Sequence, residues 1–268
     1  MNQSRVFTHS SHDPIIDIIQ GNRHNLKSLE TEGVSTTLAT NIEKCFWNED
    51  RPFSYLTNSN SGTSFKIKSS NVADSQSGDG ARTILIEGLL HSVVNSVNTY
   101  TVKTETINLN GTTDVNVGTF YRILKISVAS AGVLKLNQGQ IKVYVPSGNL
   151  VFACMAAGDN VSNMMVVSPE TDKHLIVESL SLSSYAQTPI QIKVNIFSET
   201  TGLQKTIYKF FAGGQSQYVN FSLRKRILPG ETLWMSLLPL ETVTGSHNYV
   251  TGLLECIKKN QSSVVPVQ

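Results

Sequence analysis

Ile190-Gln191-Ile192-Lys193-Val194-Asn195-Ile196 sets an aliphatic side chain at every second position with a polar one between. Successive side chains of a strand point to opposite faces, so this spacing predicts a strand with one face in a core. The pattern repeats outward. Leu175 to Leu180, Lys205 to Phe211, Tyr218 to Leu223, Thr232 to Leu237 and Tyr249 to Ile257 each read as strands, with Gly213-Gly214 and Pro229-Gly230 turning the chain between them. Six short antiparallel strands over roughly ninety residues match a sandwich of jelly-roll or immunoglobulin-like size.

Toward the N-terminus the same chemistry continues in a second block. Phe65-Lys66-Ile67-Lys68 alternates, Thr83 to Glu87 and Thr101 to Leu109 read as strands, and Asn110-Gly111 is a strong turn dipeptide. Tyr121 to Val128 and Gln140 to Val145 alternate again before the turn Pro146-Ser147-Gly148-Asn149. Small and polar residues from 155 to 172, with Ser168-Pro169-Glu170, mark a boundary, and Met164 to Val167 reads as a strand of either block. Near the start, Asp13 caps, Pro14 suits a first helical position, Ile15, Ile16, Ile18 and Ile19 follow, and Gly21 stops a short helix. The expected fold is all-β: two antiparallel β-sandwich modules, 34–155 and 156–260, after an N-terminal arm over 1–33 and before a tail over 261–268.

Composition narrows the function. Hydrophobic residues at 40% are enough for cores, while charged residues at 16% fall well below the usual quarter. Ser, Thr, Asn and Gln replace the missing charge, which suits faces that pack against neighbours. A net charge of +2 gives no footprint for a nucleic-acid partner. The basic run Arg224-Lys225-Arg226, followed by Ile227-Leu228-Pro229, fits a charged strand end. Cys45, Cys154 and Cys256 form neither a CxxC pair nor an even set, so no disulfide framework or zinc site is expected. No run approaches a membrane span, and the first residues lack the apolar core of a secretion signal.

Catalytic chemistry is not signalled. The histidines 9, 12, 24, 91, 174 and 247 are scattered, and no GxSxG, HExxH, P-loop or GxGxxG arrangement occurs. Asp74 and Asp79 share a glycine-containing loop, but two carboxylates are few for calcium. No catalytic, cofactor or metal residue is assigned. Trp234 reads as core. The candidate interface residues are Ile15, Ile16 and Ile19 on the short helix, which is too short to stand undocked, and Trp47 beside a charged loop.

Two stretches carry a resemblance: Ser69 to Asp74 with Gly78-Asp79-Gly80-Ala81-Arg82-Thr83-Ile84-Leu85-Ile86-Glu87-Gly88-Leu89, and Thr104 to Thr113 with Tyr121-Arg122-Ile123 and Ala129-Ser130-Ala131-Gly132. Together they resemble virion-associated structural proteins of marine tailed phages and some large algal DNA viruses, with motifs SSNxxD, GARTxxIxGL and TxTLNGTT. The family's Asp after GL is missing; Leu89 leads instead into Leu90-His91-Ser92 and a longer linker to Tyr100. The resemblance implies a minor capsid, decoration or head–tail component, made soluble in a host cytoplasm and housed in the virion. Its partners would be the major capsid or neighbouring virion proteins. Further copies of itself are also expected, as a trimer, since sandwich modules commonly cluster about a symmetry axis. The competing expectation is a receptor- or carbohydrate-binding module using Tyr185, Trp47 and the Asp74–Asp79 loop; a glycan hydrolase would need a carboxylate pair that the pattern does not reveal.

Overall fold

A computed structural model describes residues 26–35, 43–45, 63–147, 150–184, 189–212, 217–240 and 248–258. These residues are mostly β-strands in antiparallel sheets, and no α-helix occurs among them. The expected helix over Asp13 to Gln20, and with it Ile15, Ile16 and Ile19, lies outside the described residues, as does Trp47.

In chain order the strands are β1 (Leu26–Ser35), β2 (Lys44–Cys45), β3 (Thr63–Ser69), β4 (Ala81–Val94), β5 (Val97–Asn108), β6 (Val115–Phe120), β7 (Arg122–Ala131), β8 (Ile141–Val145) and β9 (Leu150–Met155). There follow β10 (Val166–Val167), β11 (Lys173–Ser184), β12 (Ile190–Ser198), β13 (Leu203–Ala212), β14 (Gln217–Ile227), β15 (Glu231–Pro239) and β16 (Asn248–Lys258). They form four sheets: β6-β3-β8-β9, β5-β4-β7, β1-β16-β11-β14, and β10-β15-β12-β13 with β2 also on β15.

The first two sheets bury a common cluster. Phe65 and Ile67 on β3, Ile141 and Val143 on β8, and Ile84, Ile86, Ile123 and Ile126 on β4 and β7 all belong to it. A second cluster unites Leu175 and Val177 of β11 and Ile227 of β14 with Ile190, Ile192, Val194 and Ile196 of β12 and Leu233, Met235 and Leu237 of β15. Strict alternation on β12 therefore did mark a core face. Its other face is also covered: Phe197, with Trp234 of β15, enters the first cluster. Beside them Asn195 Nδ2 donates to Ser236 Oγ at 2.8 Å. Ser236 Oγ donates in turn to Glu43 Oε1 at 2.5 Å, and Lys193 holds the other Glu43 oxygen at 2.6 Å. A sheet covered on both sides reads as a run of buried residues.

Two expectations change. The segment after Leu89 is no linker: β4 runs on to Val94 and returns as β5 in an unbroken hairpin with Val94 opposite Val97. Asn95 and Ser96, at φ 49° and 63°, make the tight two-residue turn whose left-handed conformation matches strand twist. The boundary expected at residue 34 also departs from the strand pairing. β1 lies beside β16 and β2 beside β15, so the chain before β3 supplies strands to the C-terminal sheets.

The hairpin switches its buried face at Gly88. Before it Ile84 and Ile86 point into the first cluster; after it Leu89, on the opposite face, packs with Tyr100 and Tyr121. A Cβ at Gly88 would sit 2.2 Å from the Arg122 carbonyl oxygen and 2.7 Å from the Phe120 ring, so the crossing needs glycine. The pairing of β4 with β7 slips at the same place, where Glu87 faces Lys125 and Gly88 faces Ile123. This bulge is why Ile123 and Ile126 are both buried, against simple alternation.

Candidate functional site

The motif residues 69–81 fold into a loop knotted around one carboxylate. Asn71 starts it, its side-chain oxygen accepting the Ala73 N–H at 2.9 Å and its carbonyl accepting the Asp74 N–H at 3.2 Å. Asp74 is fully buried. Its Oδ1 accepts the N–H groups of Ala81 and Gln138, each at 2.8 Å. Its Oδ2 accepts the Ser69 hydroxyl at 2.6 Å and the Gly139 N–H at 2.7 Å. Four donors occupy the carboxylate's four lone-pair directions. Burial of so polar a group is offset when every oxygen is hydrogen-bonded.

Backbone bonds extend the knot to the neighbouring loops. Gly111 N–H donates to the Asp74 carbonyl at 2.7 Å, Gly132 N–H to the Gly80 carbonyl at 2.7 Å, and Leu134 N–H to the Asp79 carbonyl at 3.0 Å. Two glycines permit the close approach: a Cβ on Gly80 would lie 2.2 Å from Asp74 Oδ1, and one on Gly132 2.4 Å from the Gly78 carbonyl oxygen. A second knot joins Asn137 and Asn160, each donating its N–H to the other's side-chain oxygen, at 3.2 and 3.1 Å. Asn137 Nδ2 also donates to the carbonyls of Gly139 at 2.8 Å and Ala156 at 2.6 Å. The loops around 72, 111, 133 and 158 thus make one braced platform. Its outer surface is mixed: Val72, Val133, Leu134 and Leu136 are exposed beside Asp79, Lys135 and Asp159.

A second constellation lies where β5, β7 and the β12–β13 turn meet. The Arg122 side chain is 2% exposed, and its Nη2 donates to Glu199 Oε1 at 2.9 Å. The guanidinium stands 5.0 Å over the Tyr121 ring, and His91 stacks on Tyr100 with ring centroids 5.0 Å apart. Tyr100 joins the two halves through its backbone: Thr171 N–H donates to its carbonyl at 2.9 Å, and the Thr171 hydroxyl accepts its N–H at 2.5 Å. Desolvation pulls the Arg122 guanidinium down from its ordinary value and pushes the Tyr121 phenol far above its own. Opposite charges in contact here form a neutral buried clasp.

At the margin of the first cluster the hydroxyl of buried Tyr144 on β8 donates to Asp114, and Lys68 Nζ lies 3.6 Å from that carboxylate. The hydroxyl bond, helped by Lys68, holds Asp114 below the ordinary carboxylate value.

The candidates named from sequence fall apart spatially. Asp74 has no acceptor left for a cation, and Asp79 is exposed. Among the described residues no group of three or more His, Cys, Asp or Glu side chains could hold a metal ion. His174 is buried against Arg226, whose guanidinium donates to its ring, while Lys225 and Arg226 end β14 as exposed charges before buried Ile227. Cys154 is fully buried. Trp234 is core, as expected, and Tyr185 lies outside the described residues. No helix among them is long and apolar enough to cross a membrane.

No family model matches the chain, and no curated protein does. Among solved structures it is similar to that of infectious bursal disease virus Gt strain, with 8% identity and a TM-score of 0.22 over 88% of this chain and 73% of that one. The VP2 subviral particle of the same virus gives 9% identity and a TM-score of 0.21, over 93% and 79%. Likeness this slight bears on neither fold nor role.

Proposed function

We propose that the chain is a viral structural protein, a minor capsid, decoration or head–tail component that acts by assembly and not by catalysis. The observation that supports this most is how the family-like motif is used. Ser69, Asp74, Gly80 and Ala81, which belong to the stretches that carry the resemblance, are all consumed in bracing loops, and none of them is left to act on a substrate. A rigid surface suits a protein–protein contact, because little ordering entropy is lost on docking.

The accompanying fold reading is two β-sandwich modules. One pairs sheet β6-β3-β8-β9 with β5-β4-β7; the other pairs β1-β16-β11-β14 with β10-β15-β12-β13. The two clusters of buried side chains support it. Homo-oligomerisation, major capsid or neighbouring virion proteins as partners, and a place in the virion belong to the same proposal. Mass spectrometry of purified particles is its test. The chain should be present at a fixed ratio to the major capsid protein, and particles that lack it overturn the reading.

A further inference from the structure

We infer that Asn110 is a site of spontaneous modification, its side-chain amide being lost through a succinimide, and that the Asp74 knot holds this reaction off. This chemistry is independent of the assembly role proposed above.

The chain contains one Asn-Gly pair, Asn110-Gly111, and one Asp-Gly pair, Asp79-Gly80. In such pairs the glycine nitrogen reaches the preceding side-chain carbonyl with least hindrance, because the glycine has no Cβ. Both pairs lie in the loops tied to Asp74, and in both the glycine is buried with its nitrogen engaged. Gly111 N–H donates to the Asp74 carbonyl at 2.7 Å, and Gly80 N–H to the Ala73 carbonyl at 3.0 Å.

At Asn110 the Gly111 nitrogen would give up its proton and bond to Asn110 Cγ. The bond from Cγ to Nδ2 breaks, and ammonia leaves carrying that proton. Water then opens the five-membered ring at either carbonyl, leaving aspartate or isoaspartate. Asn110 is exposed, so water and the departing ammonia have access to its side chain.

The fold opposes the attacking end instead. The peptide plane between Asn110 and Gly111 is held on both sides. Its N–H points into the Asp74 carbonyl, and its carbonyl accepts the Thr113 N–H at 3.1 Å. Asn110 is bridged to Ser75, and the Gly111 carbonyl accepts the Ser69 N–H at 2.9 Å. To bring the nitrogen under Cγ the plane must turn, and that breaks the knot first.

The product does not fit the place the amide left. While the ring is closed, Gly111 has no N–H to give the Asp74 carbonyl. Isoaspartate lengthens the main chain by one methylene beside a glycine at φ 60°, where an added Cβ would already stand 3.1 Å from Val72 Cα. An opening of the platform that ends in cyclisation is therefore one-way. A buried amide reacts through the opened form of its loop, at a rate set by how much of that form is present. Weakening the Asp74 bonds should thus quicken the loss of the Asn110 amide.

The test is timed incubation of the full-length chain in mildly alkaline buffer. Peptide mapping by mass, with fragment sequencing, then locates any amide converted to acid. Folded wild type should convert at Asn110 at least about tenfold more slowly than the same chain in urea. Asp74→Asn should convert in native buffer at least about tenfold faster than wild type. If its circular dichroism departs from wild type, Ser69→Ala takes its place; it removes one of the four donors and should give about a fivefold rise. Asn110→Gln, whose cyclisation would need a six-membered ring, should keep its amide under both conditions. Folded wild type that converts at the rate seen in urea overturns the inference, as does a variant at Asp74 or Ser69 no faster than wild type. A chain in urea that keeps the Asn110 amide denies the site altogether.

Discussion

Asp74→Ala removes the acceptor of four hydrogen bonds at a fully buried position. The Ser69 hydroxyl can rotate toward another acceptor. The N–H groups of Ala81, Gln138 and Gly139 are fixed by the backbone and stay pointed at the gap. A buried donor left unpaired costs about 1–3 kcal/mol. Water entering a polar gap recovers part of that, so the three donors together should cost about 4 kcal/mol. Asp74→Asn is gentler. Its oxygen can still serve Ala81 and Gln138, but its NH₂ then faces the Gly139 N–H, and about 2 kcal/mol is lost.

Urea unfolding followed by tryptophan fluorescence measures this. With a slope of about 3 kcal/mol per molar, Asp74→Ala should lower the midpoint by roughly 1.3 M, and Asp74→Asn by about half as much. A cycle with Ser69→Ala sharpens the test: once Asp74 is gone, removing the hydroxyl should cost almost nothing, giving a coupling of about 1 kcal/mol. If Asp74→Ala unfolds within about 0.3 M of wild type, the carboxylate does not brace the platform and the reasoning fails.

Three further outcomes are expected. Glu199→Ala leaves the buried Arg122 charge unpaired and should cost about 3–5 kcal/mol, while Arg122→Met with Glu199→Met should cost clearly less than the single change; equal losses in denaturant melts would deny the clasp. Trp234→Ala opens a hole in the cluster shared by both halves, so it should destabilise by about 3–5 kcal/mol and shift one common transition; a separate transition confined to one half would contradict the shared core. Tyr144→Phe removes the hydroxyl that lowers Asp114, so Asp114 should titrate closer to its ordinary 3.8 in an NMR pH series. The lowered carboxylate contributes its stability above its ordinary value and loses it as pH falls through the depressed one, so the variant's acid unfolding should begin at slightly higher pH; an unmoved Asp114 resonance would place the cause elsewhere.

Most strands were legible because period two survives wherever a sheet has one covered face. Phe65 and Ile67 are buried with Lys66 and Lys68 turned the other way, and Ile190 to Val194 alternate likewise before both faces of β12 become covered at Asn195. The pattern fails where that condition fails. Every residue of β9 after Leu150 is buried, so nothing alternates. The far half of the β4–β5 hairpin read as a linker because its buried face changes at Gly88. The platform was half legible: its loops and turns carry Asn, Asp and Gly signals, but the role of Asp74 rests on Gln138 and Gly139, 64 and 65 residues away. Spacing along the chain cannot reveal donors that only the fold delivers. Arg122 and Glu199, 77 residues apart, were hidden for the same reason.

The division of the chain into two blocks also has a physical limit. β10 alternates between the cores, Val166 entering the first cluster and Val167 the second. β15 does the same, with Trp234 on one side and Leu233 and Met235 on the other. A strand shared in this way cannot leave one core without opening the other. The tie continues at the clasp of Arg122 and Glu199 and at the backbone bonds between Tyr100 and Thr171. The β4–β5 hairpin is therefore held at both ends of its buried length, by the Asp74 loops at Ala81 and by the second half at Tyr100. Only the last few residues beyond Tyr100 are without such support. A load applied at the tip would pass through the hairpin into both cores at once.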